Sequence, residues 1–167
     1  MKTLIAYSTT HGCTEKTAIK LKQYLGEQII LVNLKNDSKP KLNEFECVIV
    51  GGSIHAGQIQ KRVKTFCIDN LEELKTKEVG LFICCFEEGE KAQTQLRDAF
   101  PEELHKTAKT TAFFGGEFDF NKMNFFEKLI VKKVAKIEKS TSRFNEDEIK
   151  IFSKKMNQVF NPFLFLS

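Results

Sequence analysis

Apolar and β-branched residues gather in five short runs, at residues 3–7, 29–33, 47–50, 79–85 and 110–114. Most of these runs lack the alternation of a strand exposed on one face, and a continuous apolar run is what a strand covered on both faces requires. Between them the spacing turns helical. Ala18, Leu21 and Leu25 share a face in the first intervening segment, as do Val63, Phe66 and Cys67 in a later one. The order is β-α-β-β-α-β-α-β-α, with a link, "KNDSKPKLNEFE" at 35–46, standing where a second helix would fall. This alternation predicts an α/β fold built on an open, doubly wound five-stranded parallel sheet with helices on both faces. No repeat, low-complexity tract or linker divides the chain, so residues 1–167 are expected to form a single domain.

In such sheets ligands bind outside the carboxyl ends of the strands, near the point where strand order reverses. Three loops are expected to meet there, at residues 8–14, 51–58 and 86–91. The first, Ser8-Thr9-Thr10-His11-Gly12-Cys13-Thr14, offers four side-chain hydroxyls and a glycine ahead of a helix N-terminus. A phosphate placed there would meet aligned N–H donors and the positive end of the helix dipole. The same residues also suit an ordinary strand-to-helix turn with Thr14 as N-cap. Neither a Walker A loop nor a G-x-G-x-x-G fingerprint is present. The second loop sets Gly51, Gly52 and Gly57 around Ser53, Ile54, His55 and Ala56. Glycines in those places would let the backbone pass close to a flat ligand, with Ile54 and His55 packing against it. The third loop, entered through Cys85, Phe86 and Glu87, is acidic, with Glu87, Glu88 and Glu90.

Composition and charge narrow the chemistry. The five cysteines are odd in number and contain no C-x-x-C spacing, so neither a disulfide framework nor a metal site is expected. The vicinal Cys84–Cys85 pair ends an apolar run, where cysteine usually acts as a small hydrophobe. Strand-like sequence from Thr3, without a charged leader or long apolar stretch, suggests neither signal peptide nor membrane span, and a cytoplasmic location is expected. The formal charge of +4 is concentrated: residues 118–143 hold seven basic side chains against three acidic ones, so the rest of the chain is neutral. On a helical projection Met123, Phe126, Ile130, Val134 and Ile137 share an arc, interrupted by Lys133, while Lys128, Lys132 and Lys136 lie elsewhere. An imperfect basic amphipathic helix of this kind can lie on an anionic membrane or pack on its own domain with solvated lysines. Phe118, Phe120 and Phe125 look exposed, and the terminal "FNPFLFLS" adds a further apolar patch. No nucleic-acid partner is expected.

"YSTTHGCT" after the first strand, paired with "VIVGGSIHAGQIQKRVKTF" after the third, resembles the flavodoxin superfamily. More narrowly, "VGGSIHAGQ" together with "FFGGEFDFNKMNFFEKLIVKKVAKIEKSTSRFNEDEIKIF" resembles the flavodoxin-like, quinone-linked protoporphyrinogen oxidase branch. The resemblance covers nearly the whole chain. It implies sheet order 2-1-3-4-5, an FMN cofactor and a basic helical insert at about 118–143. It places the FMN phosphate on Ser8, Thr9, Thr10, His11, Gly12, Cys13 and Thr14. Ser53, Ile54, His55, Ala56 and Gly57 would then border the isoalloxazine, with Cys85, Phe86 and Glu87 opposite by position rather than by motif. The stacking Trp or Tyr of electron-carrier flavodoxins is missing from these loops, which implies a flavin open to a substrate, and the acidic third loop departs from the porphyrin-handling pattern. The function implied is an FMN-dependent oxidoreductase passing electrons to a quinone-type acceptor, protoporphyrinogen dehydrogenase-like, with possible peripheral membrane contact through the insert. His55 is the candidate for proton handling because free imidazole titrates near neutrality. The alternative is an electron-transfer protein that docks redox partners and has no substrate of its own.

Overall fold

A computed structural model describes residues 1–36 and 40–158; the apolar terminal patch anticipated above lies outside the described residues. Five parallel strands form the sheet: β1 (Thr3–Ser8), β2 (Ile29–Asn33), β3 (Cys47–His55), β5 (Glu78–Cys84) and β6 (Thr110–Phe113), in the order β2-β1-β3-β5-β6. A two-residue strand, β4 (Gln58–Ile59), pairs antiparallel with the far end of β3. Register is fixed by side-chain alternation, because a slip of one residue would exchange the two buried faces. Thr3 pairs with Ile29 on one side and Cys47 on the other, and Cys47 in turn pairs with Glu78.

Alternation along these strands builds two apolar layers. Leu4, Ala6, Val48, Val50, Leu81 and Ile83 face one side, packed on α2 (Lys61–Asp69) and α4 (Gly89–Ala99) through Val63, Phe66, Ala92 and Leu96. Ile5, Tyr7, Ile49 and Phe82 face the other, against α1 (Cys13–Leu25) and α7 (Glu146–Asn157). Burial on both faces is the reason the central strands β1, β3 and β5 lack polar alternation, while the edge strands β2 and β6 are partly exposed. Phe82, Phe114 and Phe152 meet at centroid distances of 5.3, 6.5 and 5.4 Å in the second layer, and each buried ring contributes about 1.5–3 kcal/mol. α7 is closed by its own sequence: Asn145 accepts the Glu148 N–H at 3.1 Å, acids fill its first turn, and Lys154 and Lys155 its last. The link between β2 and β3 contains one 3-10 turn, Leu42–Glu44, which buries Leu42.

Two further helices, α3 (Leu71–Leu74) and α5 (Glu102–Thr107), lead into β5 and β6. After β6 the chain enters the basic insert through a short antiparallel ribbon, β7 (Glu117–Phe118) with β8 (Thr141–Ser142). Within it a 3-10 turn, Phe120–Lys122, precedes α6 (Phe125–Ile130), which runs into a π-turn over Val131–Ala135 and stops at Lys136 in the left-handed conformation. The helix is therefore shorter than the projected arc. Met123 lies before the Asn124 cap and is buried, Ile137 lies beyond the end, and Phe126 and Ile130 are exposed. Phe118 and Phe120, expected at the surface, are half-buried, and only Phe125 of the three is exposed.

Candidate functional site

β1 and β3 lie side by side where strand order reverses, and their carboxyl ends carry the first two loops. The chain leaves β1 at buried Ser8 and turns into α1 through Gly12, which is left-handed at φ +93°. Gly12, not Thr14, is the N-cap, and no side chain caps the helix. Its N–H instead donates to the Thr9 hydroxyl at 2.9 Å. Thr14 lies inside the first turn, fully buried; its hydroxyl approaches the Cys84 thiol but makes no well-formed hydrogen bond among the described residues. A capping role would have satisfied it. Thr10 is exposed at the tip and His11 half-buried.

The second segment departs from its expected form. Residues 51–55 are not a loop but the continuation of β3, and the turn is reduced to Ala56 and Gly57, both at positive φ, as a two-residue hairpin requires. Gly51 and Gly52 serve the fold and not the approach of a ligand: a Cβ on Gly51 would lie 2.1 Å from the Phe82 ring, and one on Gly52 2.6 Å from Gln60 Oε1. Gln60 was not singled out by motif, yet it grips Ser53 at both ends, accepting its backbone N–H at 2.9 Å and donating to its hydroxyl. The Ser53 hydroxyl also lies 3.2 Å from His55 Nε2. Half-buried Ile54 pairs with Ile59 across the hairpin. His55 is exposed as a residue, but its ring turns back toward Ser53 and meets His11 edge-on at 5.9 Å. Loss of hydration holds the imidazole below the ordinary histidine range, helped by His11 and opposed by Glu127, so the ring is neutral at pH 7.

At the third loop Cys84 and Cys85 point to opposite layers of the core. Cys84 lies 3.3 Å from the Thr17 hydroxyl and also meets Cys13, whose thiol is held protonated by that contact and by burial. Burial, then Glu87, pushes Cys85 up to about 12. These thiols are packing groups. Phe86 is half-buried under Phe118, at 4.7 Å, and the Arg143 guanidinium, at 4.3 Å, while Glu87 is exposed. The third loop is thus fastened to the base of the insert, and Arg143 adds a 3.6 Å approach to Glu88.

The insert also reaches the first loop. Glu127 Oε1 lies 3.6 Å from His11 Nε2, and Lys16 on α1 pairs with Glu117 at 2.8 Å. A Cβ on Gly12 would come within 3.1 Å of the Lys122 ammonium. In the sequence Lys122 and Glu127 stand out only as two of the charges of the insert. The one local signal was the pattern Asn124-x-x-Glu127, a capping box realised in full, which starts α6 and aims its first turn at the loop. The recess of about 540 Å³ lined by Tyr24, Lys150, Ser153 and Lys154 lies toward the other end of α1, away from these loops.

A parallel sheet that presents a glycine-turned, hydroxyl-lined helix N-terminus at its reversal point defines an α/β protein built to hold a phosphorylated ligand. Within that class the chain belongs to the flavodoxin-domain family, whose sequence pattern matches residues 4–145. Flavodoxin 1 from Bacillus cereus is similar in structure, with 13% identity and a TM-score of 0.58 over 93% of this chain and 97% of that one. An archaeal flavodoxin gives 14% identity and 0.57 over 95% and 100%. The Flv1 flavodiiron core from Synechocystis sp. PCC6803 gives 13% and 0.59 over 92% of this chain but only 34% of its own, so the chain spans about a third of that protein. A search of curated proteins finds no match.

Proposed function

We propose that the protein is an FMN-dependent oxidoreductase that holds the flavin across the carboxyl ends of β1, β3 and β5 and delivers electrons to a quinone-type acceptor at a membrane surface. One observation carries the cofactor: the Thr14 hydroxyl is buried without a partner in the first turn of a thirteen-residue helix, where a phosphate oxygen would satisfy it together with the free helix N–H groups. Ser8, Thr9, Thr10, Gly12 and Thr14 would hold the phosphate. Ser53, Ile54, His55, Ala56 and Gly57 would border the ring system on one side and Cys85, Phe86 and Glu87 on the other. When bound, FMN supplies reversible one- and two-electron redox chemistry. The chain's part is to position and to shield. Gln60 fixes Ser53, Ser53 orients the His55 ring, and neutral Nε2 can take or return a proton there.

The acceptor reading rests on the insert. Phe125, Phe126, Leu129 and Ile130 are exposed by 71, 74, 48 and 61%, beside exposed Lys132 and Lys133 and half-buried Lys128. Apolar side chains flanked by lysines suit peripheral contact with an anionic lipid surface, at the inner face of the cell membrane in this reading. Among the described residues no helix is long and apolar enough to cross a membrane. The sequence likeness to the protoporphyrinogen oxidase branch makes protoporphyrinogen a donor to be offered. A second reading, an electron carrier without its own substrate, is favoured by exposed Glu87, Glu88 and Glu90 beside the site, an acidic rim of the kind that steers basic partners.

One series of measurements separates these readings. The protein is titrated with FMN and riboflavin, reduced anaerobically, and offered menaquinone, protoporphyrinogen (to the oxidised form) and a one-electron protein acceptor. Rapid reoxidation by the quinone supports the proposal. Reoxidation by the protein acceptor alone moves the assignment to an electron carrier, and failure to bind FMN overturns both.

A further inference from the structure

We propose that Lys122 is a phosphate ligand supplied by the insert, so that filling the phosphate cradle and docking the segment 117–142 are one coupled equilibrium; the identity of the phosphate ester as FMN rests on the reading above. The geometry is specific. Gly12 is the floor of the cradle, the place where absence of a side chain leaves room, and the group found above it is the Lys122 ammonium, 3.1 Å from where a Cβ would stand. Two residues on, the Thr14 hydroxyl is fully buried and, apart from its approach to the Cys84 thiol, unpartnered. Every other group offered by residues 8–14 is a neutral hydroxyl or N–H, apart from the buried Cys13 thiol and half-buried His11, whose Nε2 faces Glu127 at 3.6 Å. Lys16, the nearest cation on α1, is bound to Glu117. Among the described residues Lys122 has no ion-pair partner within 4 Å. A phosphate dianion lowered onto Gly12 would therefore meet one ammonium, and that ammonium belongs to the insert.

Its backbone holds it in place. The Lys122 N–H donates to the Asp119 carbonyl at 3.0 Å, closing the 3-10 turn, and the next residue, Met123, is buried. Glu127 reaches His11 from the same segment, so the insert touches the loop at two points, one suited to an anion and one to an imidazole. Linkage requires reciprocity: whatever Lys122 contributes to phosphate affinity, bound phosphate returns as stability of the docked insert. The apolar face of α6 would then be presented in a fixed orientation only when the cradle is filled.

The test uses the full chain, with K122Q, the charge-retaining K122R, and K128Q as a control on the same segment. Fluorescence titration should show FMN binding weakened about 10- to 100-fold in K122Q, the range of a hydrogen bond to a charged group. Riboflavin affinity should be unchanged, K122R should recover most of the loss, and K128Q should match wild type. Hydrogen exchange at residues 117–142 should slow with FMN and with inorganic phosphate at matched ionic strength, but not with riboflavin, and the slowing should vanish in K122Q. If K122Q keeps the wild-type preference for FMN over riboflavin, Lys122 is a solvated side chain and the inference falls. If the wild type binds no flavin yet phosphate slows exchange in a Lys122-dependent way, the FMN reading falls and the phosphate ligand stands. If neither flavin nor phosphate has any effect, both fall.

Discussion

Leaving the Thr14 hydroxyl buried without a partner costs the unliganded protein about 1–3 kcal/mol, a cost that a binding site can justify and a plain helix turn cannot. Thr14→Val keeps the shape and removes the orphaned oxygen. It is expected to raise the melting temperature of flavin-free protein by a few degrees while lowering FMN affinity about tenfold, measured by calorimetry and by fluorescence titration on the same preparation. A fall in both quantities would return Thr14 to an ordinary packing role. His55 makes a second residue-scale prediction. Its folded pKa lies below the unfolded value, so the unfolded chain binds the proton more readily, and stability present above about pH 6.5 is lost as pH falls from there toward the folded value. Urea unfolding at a series of pH values should show this loss in wild type and a flatter profile in His55→Gln. The hydroxyl loop was legible because strand, hydroxyls, glycine and helix follow one another directly in sequence. Lys122 and Glu127 were not, because only the path of the insert brings them back to Gly12 and His11.

At the scale of elements, the β3–β4 hairpin holds a residue against its preference. Ala56 sits at φ +48°, a left-handed conformation that costs a residue with a Cβ about 1–2 kcal/mol, and it precedes Gly57 in a turn where Asn-Gly is favoured. Ala56→Asn is expected to stabilise the protein by about 0.5–1 kcal/mol, read as a higher denaturant midpoint at unchanged slope. An unchanged midpoint would mean that the turn relaxes in solution. This hairpin was the element hardest to see in the sequence. Gly51 and Gly52 carry the composition of a loop, yet they extend a strand because the Phe82 ring, Ile59 of the return strand and Gln60 just beyond it occupy the space where their side chains would be. The three central strands were legible for the opposite reason: burial on both faces left a continuous apolar signal in β1, β3 and β5, while the partly exposed edge strands β2 and β6 showed through their β-branched residues. The insert helix was overextended because periodicity alone does not register a π-turn or the left-handed stop at Lys136.

At the scale of the molecule, charge and exposed apolar area coincide in one segment, and both should act together at a membrane. Changing Lys128, Lys132 and Lys136 to Glu reverses the sign of the insert. It is expected to abolish flotation with anionic vesicles, since each basic residue near such a surface contributes roughly 1 kcal/mol, while FMN absorbance and turnover with soluble acceptors stay intact. Flotation equally absent in wild type at low salt would leave α6 a solvated helix. The ribbon at the base of the insert bears on how such a segment can be acquired. Phe118 pairs with Thr141, and the Arg143 N–H donates to the Gly116 carbonyl at 2.9 Å, so the excursion leaves and rejoins the sheet domain at adjacent points. Its ends are already closed upon one another, and each doubling of loop length adds only about 0.6 kcal/mol of closure entropy. Closure of the ribbon therefore leaves residues 131–138 able to change length at little entropic cost, whereas the turn and the first helical turn that carry Lys122 and Glu127 back to the first loop are held to their present path.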